Sequence, residues 1–94
     1  MFGIIATLKA KEGKGAELLA AAQKLSAAVR ENEEGCIQHK PFLSNDDPDT
    51  IIFMEEYASQ EALDAHGKSE HMKTLGGAMG PFMGGRPTIQ HMKG

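Results

Sequence analysis

Tryptophan is absent from the chain, and tyrosine and cysteine each occur once. A single thiol, Cys36, cannot close an internal disulfide, and without a second cysteine there is neither a CxxC redox pair nor a cysteine zinc site. That usage suits a reducing, cytoplasmic compartment, with Cys36 most simply a small buried apolar residue. Basic charge is also scarce. Ten lysines and arginines stand against thirteen aspartates and glutamates, a net charge of -3, so no cationic surplus exists to displace counterions from nucleic acid or to hold an anionic membrane. Long apolar runs are missing too: the one near the N-terminus, in MFGIIATLKAK, is too short for a bilayer and has no basic segment before it, which argues against a signal peptide or a membrane span. The glycines match neither a P-loop nor GxGxxG, and no HExxH or EF-hand pattern occurs.

What is present is an ordinary globular composition, 40% hydrophobic and 24% charged. A chain of 94 residues has room for one domain, 1–94, that buries only about 60% of the surface its unfolded form exposes. Its core is modest, and a partner subunit would enlarge it.

Hydrophobic periodicity divides the chain. Phe2, Ile4, Ala6 and Leu8 alternate with Gly3, Ile5, Thr7 and Lys9, the period of a strand. Glu12-Gly13-Lys14-Gly15 punctuates the chain before an alanine-rich helix from Ala16 to about Glu33, with Leu18, Ala22, Leu25 and Val29 on its inner stripe. Gly35 is placed to end it in a left-handed conformation, although Glu33 and Glu34 carry the wrong sign for that end of the dipole. Cys36 to Leu43 reads as a second, weaker strand. Ser44 to Asp49 is dense in turn formers and leads to a third strand, Thr50 to Tyr57, antiparallel to the second. Ser59 caps a short helix that Gly67 interrupts, and Ser69 caps the next. Glycine and proline make Gly76 to Gly85 an irregular, mobile loop, and Arg86 to Met92 reads as a short fourth strand at an edge.

The order is the split βαββαβ of the ferredoxin-like α+β class, a four-stranded antiparallel sheet with its helices on one face. The third strand is apolar on both sides, with Ile51 and Phe53 on one and Ile52 and Met54 on the other. With no further helix to cover the second face, another copy of the chain packed sheet against sheet is the expected cover.

Specific residues carry a family resemblance. Glu33-Glu34-Gly35-Cys36, then Phe53-Met54-Glu55-Glu56-Tyr57, Glu61-Ala62-Leu63-Asp64-Ala65-His66 and Ser69-Glu70-His71-Met72 closely resemble the antibiotic biosynthesis monooxygenase family, nearest to its small bacterial quinol monooxygenase branch. The resemblance implies a ferredoxin-like monomer that dimerises into an α/β barrel, with a pocket between sheet and helices. It implies oxidation of a hydroquinone-like or phenolic aromatic by molecular oxygen, without flavin, haem or metal. The family also resembles isomerases acting on signalling sugars and haem-degrading enzymes. Haem degradation is disfavoured, because Thr7 and Tyr57 stand where those relatives carry asparagine and tryptophan.

A cofactor-free oxygenase needs a general base, a dry pocket and a donor for the substrate anion. His66 and His71 are the candidate bases, since histidine titrates near neutrality. His66 shares the inward stripe of Leu63 and either faces substrate or is a buried histidine bonded to backbone or to Glu70; His71 opens the next helix and either faces substrate or lies at a dimer interface or on the surface. Tyr57 either donates its hydroxyl to substrate or packs with its tip in water. Glu55 shares its strand face and either orients a histidine or, the better expectation, pairs with a lysine or arginine. Phe53, Met72, Met79, Phe82 and Met83 are candidate core or pocket wall, the soft methionines suiting a flat ring. Arg86 either steadies an anionic oxygen at the pocket mouth or lies on the surface. His39 and His91 read as exposed sheet histidines. A metal site from His66, Glu70 and His71 is rejected because the histidines, five positions apart, do not share a helix face. An isomerase using a histidine as proton shuttle and a non-catalytic ligand-binding protein are the rival readings.

Overall fold

Alternation gives β1 (Phe2–Lys9) one buried face, with Ile4, Ala6 and Leu8 all below a tenth exposed. The structure, a computed structural model, describes residues 1–94. After β1 come α1 (Gly15–Asn32), β2 (Cys36–Leu43), β3 (Thr50–Tyr57), α2 (Gln60–Lys68), α3 (Glu70–Gly77), a 3-10 turn (Gly80–Phe82) and β4 (Thr88–Lys93). This βαββααβ order builds one four-stranded sheet in the order β2-β3-β1-β4, antiparallel throughout. The fold is the expected ferredoxin-like α+β class, and β4 lies at an edge.

The core is the layer between sheet and α1. Leu18, Ala22, Leu25 and Val29 of α1 are buried against Ile4, Ala6, Leu8, Ile51, Phe53 and Tyr57. Arg30 clamps β2 to α1 by donating to the His39 carbonyl at 2.9 Å. At the other end of α1, the Asp49 carboxylate accepts from the backbone N–H groups of Gly13 and Gly15, both at 3.0 Å.

Three local expectations are corrected. Gly67 does not interrupt a helix: α2 runs on to Lys68, and the break falls at Ser69. Ser69 serves both ends. Its hydroxyl donates to the His66 carbonyl at 2.8 Å, closing α2, and accepts from the Met72 N–H at 3.3 Å, opening α3. Gly35 is not left-handed, since the one positive φ is at Gly13. Glycine is needed there for close approach, because a Cβ at Gly35 would lie 2.4 Å from the Ala62 Cβ. The glycine-rich segment after α3 is not a free loop. Lys11 N–H donates to the Phe82 carbonyl at 2.8 Å, Gly84 N–H to the Lys9 carbonyl at 2.7 Å, and Met83 bridges to Ala10.

The second face of the sheet carries no helix. On it the ladder aligns Ile5 with Met54, Thr7 with Ile52, and Ile52 with Phe42. Phe42, Met54 and Met92 are each about two-fifths exposed. No helix is long and apolar enough to cross a membrane.

Candidate active site

One row across the sheet defines the inner wall. The ladder sets His39 opposite Glu55, Glu55 opposite Ile4, and Ile4 opposite His91, so all four side chains share the helix-covered face. His39 reaches that face through a bulge. Cys36 pairs with Tyr57 and Gln38 with Glu56, so Ile37 is the extra residue. If the same residues paired without a bulge, Ile37 would stand opposite Glu56 and His39 opposite Met54, on the open face. The exposed sheet histidine expected from sequence is therefore buried, 2% accessible.

Above this row lies a cavity of about 500 Å³ between the sheet and helices α1 to α3. Phe53, Leu63, Met72, Met79 and Met83 make its walls apolar, and His39, Glu55 and His66 supply its buried polar groups. His91, on an exposed edge strand, also borders it.

Glu55 is the hub. Its Oε1 accepts from the Tyr57 hydroxyl at 2.6 Å and lies 3.6 Å from His39 Nε2 and 3.8 Å from His66 Nε2. Burial pushes the Glu55 carboxyl above its ordinary range, partly offset by the Tyr57 hydrogen bond. The expected lysine or arginine partner is thus replaced by a tyrosine and two histidines. Tyr57 is fully buried, and it does not border the cavity. Burial, then its bond to Glu55, raises the phenol pKa far above its ordinary value.

Each histidine is held from behind. His39 Nδ1 lies 2.7 Å from the Ser26 hydroxyl of α1. Burial, reinforced by His66, Arg30 and His71, depresses its pKa to about 3, so the ring is neutral at working pH. His66 Nδ1 lies 3.0 Å from Glu33 Oε2 and 3.1 Å from Oε1. His71 Nε2 contacts the same carboxylate. The partner of His66 is therefore Glu33 rather than Glu70. The two histidines converge on it although they share no helix face, because the extended residue Ser69 breaks the helix between them and His71 lies on a separate helix, α3. The geometric reason for rejecting a metal in this region does not hold: Glu33, His66 and His71, and separately His39, Glu55 and His66, each bring three ligand atoms within 4.8 Å of one another.

Among the expected site residues, His66, Glu55, Phe53, Met72 and Met79 border one cavity. His71 and Tyr57 stand behind it, each bonded to a carboxylate. Phe82 packs beside the core and Arg86 is exposed, and neither borders the cavity. Cys36 is only partly buried, and burial with the nearby Glu33 and Glu55 charges pushes its thiol up to about 11. Glu33, Ser26 and His39 were not expected at the site from sequence. Glu33 did leave a signal there, an acidic residue at the helix end that disfavours it.

A family model described as antibiotic biosynthesis monooxygenase matches residues 1–76. The chain belongs to the antibiotic biosynthesis monooxygenase family. Among solved structures, one of Caulobacter crescentus, named as a candidate member of this family, is 36% identical with a TM-score of 0.92, covering 99% of this chain and 88% of that one. A family candidate from Nitrosomonas europaea (21% identity, TM-score 0.89, covering 100% and 98%) and a conserved protein of Methanosarcina mazei (22%, 0.87, 98% and 90%) share the fold. No curated protein sequence matches the chain.

Proposed function

We propose that this member of the family oxygenates a small phenolic, hydroquinone-like aromatic with molecular oxygen, and that His66 is the base. The observation that carries this reading is the orientation of the His66 ring. Its Nδ1 is engaged by the Glu33 carboxylate at 3.0 Å, while its Nε2 is turned towards Glu55 and the cavity. With the proton on Nδ1, donated to Glu33, the Nε2 lone pair faces the bound ring and can take a phenolic proton. The phenolate so formed is electron-rich enough to reduce oxygen. One oxygen atom enters the ring and the other leaves as water, and a hydroquinone supplies all four electrons as it becomes a hydroxyquinone.

The cavity supports this substrate class. Its volume of about 500 Å³ suits a one- or two-ring aromatic, and Phe53, Met72 and Met79 offer flat, polarisable walls. Glu55, with its raised pKa, can hold a proton and donate to a substrate oxygen. Two copies joined through the open apolar face would bury Phe42, Ile52 and Met54, and a reducing cytoplasm suits the single free thiol of Cys36.

The test is a screen of hydroquinones and polyphenols with metal-free protein, in air and under strict anaerobiosis. Turnover that consumes oxygen and stops without it is expected. Turnover that persists anaerobically would overturn the reading in favour of an isomerase, and ligand binding without turnover would leave a binding protein.

A further inference from the structure

His39, Glu55 and His66 have a spacing that hydrogen bonding does not explain. His39 Nε2 and His66 Nε2 stand 3.6 and 3.8 Å from the same Glu55 oxygen, beyond hydrogen-bond reach. Ligands about 2.0 to 2.1 Å from a tetrahedral ion are separated from one another by roughly 3.4 Å. The two nitrogen–oxygen separations are close to that spacing, and the three residues each bring a ligand atom within 4.8 Å of the others. Glu33, His66 and His71 lack that spacing, because there the nitrogens already bond directly to the carboxylate.

We propose that His39, Glu55 and His66 form a binding site for one divalent transition-metal ion of the zinc type. Two imidazoles and one carboxylate are a donor set such ions accept, with a fourth position left open. That position faces the cavity, because all three side chains border it. Each ligand also has the outer partner that metal sites use to fix orientation. Ser26 holds His39 Nδ1 at 2.7 Å, the Glu33 carboxylate holds His66 Nδ1 at 3.0 Å, and the Tyr57 hydroxyl holds Glu55 at 2.6 Å. With the proton of each ring on Nδ1, towards its outer partner, each Nε2 presents a lone pair on the side of Glu55 Oε1. The charge left on a divalent ion bound by a single carboxylate suits an oxygen anion, such as a phenolate or hydroxide, in the open position. A zinc ion there takes the Nε2 lone pair of His66 and requires an ionised Glu55, so it competes with the proposed roles of both residues, as base and as proton donor.

The test is calorimetric titration of zinc chloride into EDTA-stripped, dialysed protein at pH 7, without substrate. One ion per chain is expected, binding more than about ten-fold weaker in His39→Ala and in Glu55→Gln, and with unchanged stoichiometry in His71→Ala. Cobalt(II) in place of zinc should give the intense visible absorption of low coordination in the wild-type protein, a readout that does not depend on a variant folding. Absence of stoichiometric zinc binding, a weak six-coordinate cobalt spectrum, or loss of binding in His71→Ala but not in His39→Ala would overturn the site. Since the assay contains no phenol and the oxygenation screen contains no metal, each proposal fails without the other.

Discussion

His39 stands directly opposite Glu55 across the β2–β3 ladder, with its Nε2 3.6 Å from the Glu55 Oε1. A one-residue bulge at Ile37 creates this pairing, and burial then sets the protonation of both groups.

Acid sensitivity follows. Unfolded histidine takes up a proton near pH 6.5, whereas folded His39 stays neutral down to about pH 3. Between those values the unfolded chain binds the extra proton, so the His39 contribution lowers stability as pH falls from 6.5. Glu55 acts in the opposite sense, because its raised pKa lets the folded state keep a proton the unfolded state has released. Urea denaturation with EDTA present isolates the first term by comparing wild type with His39→Gln. Their stability difference should change with pH below 6.5 at a limiting slope of about 1.4 kcal/mol per unit. Parallel curves would contradict the assignment.

Tyr57→Phe removes the donor to a buried carboxyl group. A cost of about 1 to 3 kcal/mol is expected, read as a lower denaturation midpoint with an unchanged m-value. Unaltered stability would mean that the Glu55–Tyr57 bond contributes nothing net.

Gly35→Ala should destabilise by about 1 to 3 kcal/mol, because the new methyl would sit 2.4 Å from the Ala62 Cβ. Ala62→Gly in the same chain should restore most of the loss in thermal melts. A shortfall larger than the roughly 1 kcal/mol that glycine itself costs inside α2 would contradict the helix contact as the cause.

Met54→Lys places a charge in the middle of the uncovered apolar face. Sedimentation should show a concentration-dependent dimer for the wild type and a monomer for the variant. A wild type that stays monomeric at all concentrations would refute self-association through this face.

Much of the architecture was legible because burial on one face writes itself into period and spacing. Leu18, Ala22, Leu25 and Val29 marked the inner stripe of α1, and the alternation in β1 marked the covered side of the sheet, whereas β3 is apolar on both sides. The site was legible only in part. His66 and Glu55 could be found from stripe and alternation, but His39 could not, since strict alternation from Cys36 turns it outward and nothing local in CIQHKPFL announces the bulge. Glu33 was visible as an electrostatic misfit at the end of α1, yet its partners lie 33 and 38 positions away. Long-range convergence of that kind comes from how Ser69 redirects the chain, which is a tertiary consequence.

The central claim is that His66 starts the reaction of a cavity-bound phenol with molecular oxygen. Turnover under isotopically heavy oxygen, with product mass and rate compared between wild type and His66→Gln, tests it most directly. The expected result is one heavy oxygen atom in the wild-type product and a rate at least about ten-fold lower in the variant, about 1.4 kcal/mol of barrier. A product without heavy oxygen, or a variant as fast as wild type, would contradict the claim.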